Sequence, residues 1–141
     1  MTNSIEKGKR GERLWAAECR KHGYQVRRGK QYSGLGGEDC IGLEGVWQEI
    51  KFGESVNIQE AMKQAVTDSS HYNITHQDQR LPIVALKKKY RPWRIIMQLP
   101  DLTILYGATY TRDLSMILLE LSVDHWFKIY DSWLEAKGAN T

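Results

Sequence analysis

The stretch GVWQEIKFGE, residues 45–54, decides how the chain is read. Its β-branched and aromatic residues, bounded by glycines, mark a strand. Successive side chains of a strand point to opposite faces. Val46, Gln48, Ile50 and Phe52 therefore share one face, and Trp47, Glu49 and Lys51 the other. An otherwise apolar strand thus holds a carboxylate and an ammonium side by side. That is either an ion pair on an exposed strand or a pair put to chemical use.

The surrounding chain supplies a setting. Asn3 or Ser4 caps a helix running to about His22, where Gly23 stops it. YQVRR (24–28) is a strand, GKQYSGLGGE (29–38) a Gly-rich loop and DCIGL (39–43) a second strand. A tight EG turn then leads into the strand of residues 45–54, so these two strands pair antiparallel. A helix spans 57–72, with Ile58, Ala61, Met62, Ala65 and Ser69 at helical spacing. A polar loop covers 73–81, and His71 and His76 lack zinc-like partners and read as loop residues. PIVALKK (82–88) and WRIIMQL (93–99) form two more strands, joined by a basic turn. A long helical segment covers 111–137, bent near Ser122–Asp124 and ended by Gly138. The expectation is an α/β fold: a central mixed sheet of about five strands flanked by helices, plus a C-terminal helical segment.

Bulk properties narrow the function. The 141 residues suit one domain, with residues 1–106 as its core and 107–141 as a C-terminal helical extension. No apolar run approaches a membrane span, and the N-terminus has no apolar signal core, so a cytoplasmic protein without a membrane partner is expected. Cys19 and Cys40, in apolar company, read as reduced buried thiols. Net charge is +3, unevenly spread: residues 1–30 balance at +6, 31–100 at zero and 101–141 at −3. A basic front points to a polyanion, although a solvated helix face accounts for charge alone equally well. GLGGE leads into a strand rather than a helix, which makes a dinucleotide fold a poor reading.

Two further carboxylates matter. Glu12 lies on the helical face of Trp15, Ala16 and Cys19, where an unpaired charge is costly to bury. Asp39 opens the second strand. Taken singly, each is an ordinary edge or turn residue. A hairpin and a packed helix can bring them to Glu49 and Lys51. Magnesium takes hard oxygen ligands and keeps several waters, so two or three carboxylates suffice to hold it. Beside a phosphodiester such a metal activates water, and a lysine on the same face steadies the charge that builds.

ED at 38–39 followed by EIK at 49–51 resembles the core motif of the PD-(D/E)XK nuclease superfamily, with Glu38 where that motif has proline. KGKRGERLWAAECRKHGYQVRR is similar to the N-terminal helix and first strand of archaeal and phage Holliday junction resolvases, and YSGLGG to their Ser/Gly loop. AMKQAVTDSS and LPIVALKKKYRPWRIIMQL resemble later elements of phage-borne members, so that the likeness covers roughly residues 7–106. The resemblance implies a restriction-endonuclease-like core. It implies that Glu12, Asp39 and Glu49 hold Mg²⁺ or Mn²⁺ together with the Ile50 carbonyl, and that Lys51 is the catalytic lysine. Ser33 matches the loop serine and Gln64 a helical glutamine of some nuclease branches, although a solvent-facing Gln64 is the plainer reading.

Lys7, Lys9, Arg10 and Arg13 crowd the first helix, Arg27, Arg28 and Lys30 flank the loop, and Lys87, Lys88, Lys89, Arg91 and Arg94 gather at the later strand pair. Such cations bind phosphates without reading sequence. The expected function is hydrolysis of branched DNA in recombination and repair: a structure-selective endonuclease of the Holliday junction resolvase type, phage or mobile-element borne. It would make paired symmetric nicks as a homodimer and leave 5′-phosphate ends. The apolar C-terminal segment is a candidate subunit interface. The alternatives are a nicking, flap or restriction-like enzyme on the same fold, and a DNA-binding module without catalysis.

Overall fold

The computed structural model describes residues 4–29, 39–107 and 117–139. The elements are α1 (Ser4–Lys21), β1 (Arg27–Arg28), β2 (Cys40–Ile41), β3 (Val46–Phe52), α2 (Ile58–His76), β4 (Leu81–Lys87), β5 (Arg94–Gln98), α3 (Leu99–Leu105), β6 (Leu118–Ser122) and α4 (Val123–Ala139). One sheet orders its strands β1-β2-β3-β4-β5-β6. All neighbours are antiparallel except β3 and β4, which run parallel with Lys51 beside Leu86 and Phe52 beside Lys87. The expected α/β architecture with a mixed sheet is present, with six strands rather than five.

Alternation along the strands builds two cores. Val46 and Ile50 of β3, Ile83 and Ala85 of β4, and Ile95 and Met97 of β5 pack with Trp15 and Cys19 of α1 and Trp126, Phe127 and Tyr130 of α4. On the other face Trp47, Val84, Leu86 and Ile96 meet Ala61, Met62 and Ala65 of α2. Gln48 lies on the α1 side, buried, where its Oε1 accepts from Trp15 Nε1 at 2.7 Å. The sheet is thus a middle layer, and a central strand such as β3 is covered on both faces. Cys19 and Cys40 are buried free thiols, as expected, and burial pushes the Cys19 thiol well up.

Several boundaries differ from expectation. β2 covers 40–41 rather than 39–43; after Ile41 the chain turns at Gly42, φ +123°, where an added β-carbon would stand 2.5 Å from the Gln25 carbonyl oxygen. β1 keeps only 27–28 of the expected 24–28; the Val26 N–H is turned back onto the Tyr24 carbonyl. α2 runs on to His76, so His71 and His76 are helical rather than in a loop. Gln77 caps it in the left-handed region, and Asn73 exchanges hydrogen bonds with the Arg80 backbone beyond. α3, opened by Pro100, was not expected. The helix expected over 111–137 begins only at Val123, for 118–122 form β6 against β5; residues 111–116 of that segment lie outside the described residues. β6 alternates as a strand does, and Glu120 pairs with Arg94 at 3.1 Å. Among the described residues no helix is long and apolar enough to cross a membrane.

Candidate functional site

The site lies where Asp39 leads into β2 alongside β3. β2 pairs with β3 at Cys40 and Gln48, and the Asp39 N–H still reaches the Gln48 carbonyl at 3.1 Å. Beyond that point, among the described residues, no backbone group on the β2 side pairs with β3. The next inward N–H, that of Ile50, is satisfied instead by Asp39 Oδ2 at 2.8 Å. A buried N–H must find a partner, and here it fixes Asp39 beside the Ile50 peptide.

Glu49 projects to the α2 side and is 4% exposed. Lys51, two residues on, keeps its Nζ 3.7 Å from Glu49 Oε1 and remains partly open to solvent. The strand therefore does place carboxylate and ammonium on one face. The face is covered by a helix, which disposes of the plain surface ion pair. Burial raises Glu49 well above the ordinary glutamate range; Asp39 and Asp68 raise it further and Lys51 pulls it back. Asp39 is raised for the same first reason, opposed by the Ile50 N–H and by Lys51 and reinforced by Glu12 and Asp68. Desolvation always disfavours the charged form, and like charges add to it.

Glu12 reaches this group from α1, on the other side of the sheet. It is buried, and its Oε2 accepts from Arg28 Nε at 2.6 Å. Its backbone carbonyl lies 3.7 Å from Cys40 Sγ, at the start of β2. Glu12 is thus close enough to raise Asp39, yet it is tied to Arg28 rather than turned to Glu49. Among the described residues no three His, Cys, Asp or Glu side chains are grouped tightly enough to hold one metal ion.

Sequence reasoning missed Asp68. It extends the α2 stripe of Ala61 and Ala65 by one turn, and a carboxylate at that spacing was the available signal. Gln64, one turn before Asp68, is exposed. Ser33 and Lys30 lie outside the described residues.

Many of the expected DNA-binding cations gather at the Lys51 end of β3. Lys7 Nζ lies over Gly53, 3.1 Å from where a β-carbon would stand, and the Arg10 guanidinium sits 5.8 Å from the Phe52 ring centre. Lys87 adjoins Phe52 across the β3–β4 pair, and Lys88, Lys89 and Arg91 follow in the turn. Arg13 and Arg27 are exposed, Lys9 pairs with Glu6 at 3.8 Å, and Arg28 serves Glu12. A cleft of about 730 Å³ opens at the opposite end of the sheet by Leu81, Asp101 and Trp133 and holds none of these residues. A duplex is gripped by a surface rather than a cavity, so the separation is no objection.

A mixed sheet between helical layers, with an acid before the short hairpin and an acid and a lysine on the strand after it, fits a restriction-endonuclease-like fold. Among solved structures the chain is similar to Hjc of Archaeoglobus fulgidus, a Holliday junction resolvase from an archaeal hyperthermophile. The TM-score is 0.52 and the identity 20%, over 86% of this chain and 96% of that one. No family model and no curated protein matches the chain.

Proposed function

We propose that this protein is a divalent-metal-dependent DNA endonuclease selective for branched DNA, a Holliday junction resolvase that makes paired nicks as a homodimer. The observation that carries the reading is the convergence of Asp39, Glu49 and Lys51 where β2 stops pairing with β3. The shared fold supports it.

The donor chemistry fits Mg²⁺ or Mn²⁺. Burial raises both carboxyls, Asp39 raises Glu49 further, and Lys51 offsets this only in part, so a hard cation would supply the missing counter-charge. Asp39, Glu49 and the Ile50 carbonyl would hold it, with waters completing the shell. Such an ion, when bound, lowers the pKa of a coordinated water and polarises a phosphoryl oxygen. Lys51, open to solvent beside Glu49, meets the charge that builds on the scissile phosphate. Glu12, fixed by Arg28, stands behind Asp39 and biases its charge. The cations around Phe52 and Gly53 take flanking phosphates.

A second reading is favoured by the Arg28–Glu12 pair, which among the described residues leaves the carboxylates short of a closed metal set. On it the protein binds branched DNA without cutting. Incubation of a labelled four-way junction beside flap, linear duplex and single strand, with and without Mg²⁺, separates the two. Paired metal-dependent nicks on the junction, lost in Glu49→Ala and Lys51→Ala while binding persists, are the expected result. Cutting of flaps or linear DNA instead places the enzyme with other nucleases of this fold. Tight metal-independent binding without cleavage by the wild type establishes the second reading.

A further inference from the structure

At the tip of the β4–β5 hairpin the chain puts a tyrosine where the backbone calls for glycine. Lys88–Arg91 form a four-residue turn, closed by the Arg91 N–H donating to the Lys88 carbonyl at 3.1 Å. Its third residue, Tyr90, has φ +62°. Glycine is the ordinary occupant of a left-handed third turn position, and a bulky side chain there is strained. Burial offers no compensation, because Tyr90 is 92% exposed. The Lys89 ammonium lies 5.1 Å from its ring centre.

The turn is nevertheless held firmly. The Lys89 N–H donates to Glu54 Oε1 at 2.7 Å, and Lys87 Nζ donates to the carbonyls of Lys88 and Arg91. The Gly53 N–H donates to the Lys87 carbonyl at 3.0 Å, which fastens the hairpin to the chain leaving β3. Tyr90 therefore stands at the Lys51 end of the sheet, flanked by Lys88, Lys89 and Arg91. Strain held in place by a supporting network marks a functional position.

An exposed ring among cations is a stacking platform: the cations take phosphates and the ring takes a base face. Inside a continuous duplex the base faces are already stacked. A branch point or an unpaired strand offers one. We propose that Tyr90 stacks on an unstacked base at a DNA discontinuity, so that this hairpin tip tells branched DNA from continuous duplex. The inference rests on the function proposed above and assigns part of its structure selectivity.

Fluorescence anisotropy tests it, with a labelled four-way junction, a single strand and a linear duplex, in EDTA so that nothing is cut. Tyr90→Gly removes the ring and suits the turn, so it should fold, which thermal unfolding checks. Tyr90→Trp keeps a stacking face, and Tyr106→Ala removes an exposed tyrosine at the end of α3 as a control. The expected result is a loss of about tenfold or more for Tyr90→Gly on junction and single strand, with duplex binding nearly unchanged. Tyr90→Trp and Tyr106→Ala should match the wild type. Quenching of 2-aminopurine at the junction centre should vanish in Tyr90→Gly alone. Equal junction binding by Tyr90→Gly and wild type, or an equal loss on linear duplex, overturns the inference while leaving the nuclease reading intact. A wild type that shows no preference for the junction sinks both.

Discussion

Arg28 of β1 and Glu12 of α1 meet across the edge of the sheet, Nε to Oε2, at 2.6 Å. The glutamate is nearly enclosed, whereas the arginine keeps much of its side chain in water. The pair therefore counts for more to Glu12 than to Arg28. Removal of the cation leaves an uncompensated carboxylate beside Asp39, and uncompensated burial is the expensive case. Arg28→Ala should destabilise the protein by about 2 kcal/mol in urea unfolding, less than a fully buried pair because of its exposure. Glu12→Gln in the same background should restore most of that. Equal stability of Arg28→Ala and wild type would show that the pair is no more than a surface contact.

The upward shifts at Asp39 and Glu49 have a definite sign. A carboxyl raised in the folded state is bound more tightly to its proton there than in the unfolded chain. Its contribution is fully present at acid pH and is lost as pH rises through the raised value. Metal-free protein should therefore lose stability from the ordinary carboxylate range upward through neutrality. A divalent ion selects the ionised form and reverses the trend. Mg²⁺ should raise the melting temperature little at about pH 5.5 and most at about pH 8.5. Glu49→Gln should abolish the Mg²⁺-dependent part. A Mg²⁺ effect of the same size at every pH would argue that the ion binds elsewhere.

The sequence made these residues legible to different degrees. Glu49 and Lys51 could be placed on one face because a strand has period two, and Asp39 because a hairpin must return the chain nearby. The hydrogen bond from the Ile50 N–H to the Asp39 carboxylate was not legible, since no residue type marks which backbone group a side chain will take up in place of a strand neighbour. Asp68 was hidden for another reason. It flanks an apolar stripe, where most carboxylates simply face water. The C-terminal segment misled because LLELS is apolar enough for either helix or strand, and pairing with β5 decided it. Tertiary pairing outweighs local preference in such runs.

Asp101, in the first turn of α3, carries a different pH dependence. Among the described residues its Oδ2, sealed from solvent, has no hydrogen-bond partner. Burial pushes it up to about 6. The positive end of α3 offsets some of that cost. The sign is the same as above: full stability below the unfolded value near 4 and loss as pH passes about 6. The loss should be on the order of 2 kcal/mol by about pH 8. Asp101→Asn should recover it and flatten the profile between about pH 4 and 7, with no change in DNA cleavage, because the residue lies at the far end of the sheet. Unchanged pH dependence in that variant would mean that water reaches the carboxyl.

Two glycines one turn apart on α1 should respond oppositely to the same change. A methyl at Gly8 meets nothing within 4 Å. Gly8→Ala there collects only the helix-propensity gain, up to about 1 kcal/mol. At Gly11 the same methyl would stand 2.9 Å from the Phe52 β-carbon and 3.8 Å from Ile50 Cγ2. A β-carbon cannot rotate aside, so either α1 or β3 must move. Overpacking of this kind costs about 1–3 kcal/mol, which outweighs the propensity gain. The displacement also bears on the site, since Glu12 follows Gly11 directly and Ile50 carries the N–H that fixes Asp39. Gly11→Ala should therefore lower both unfolding stability and cleavage, whereas Gly8→Ala raises stability and leaves cleavage alone. If Gly11→Ala proved as stable and as active as Gly8→Ala, the close approach of α1 to β3 would not be what holds Glu12 beside the site.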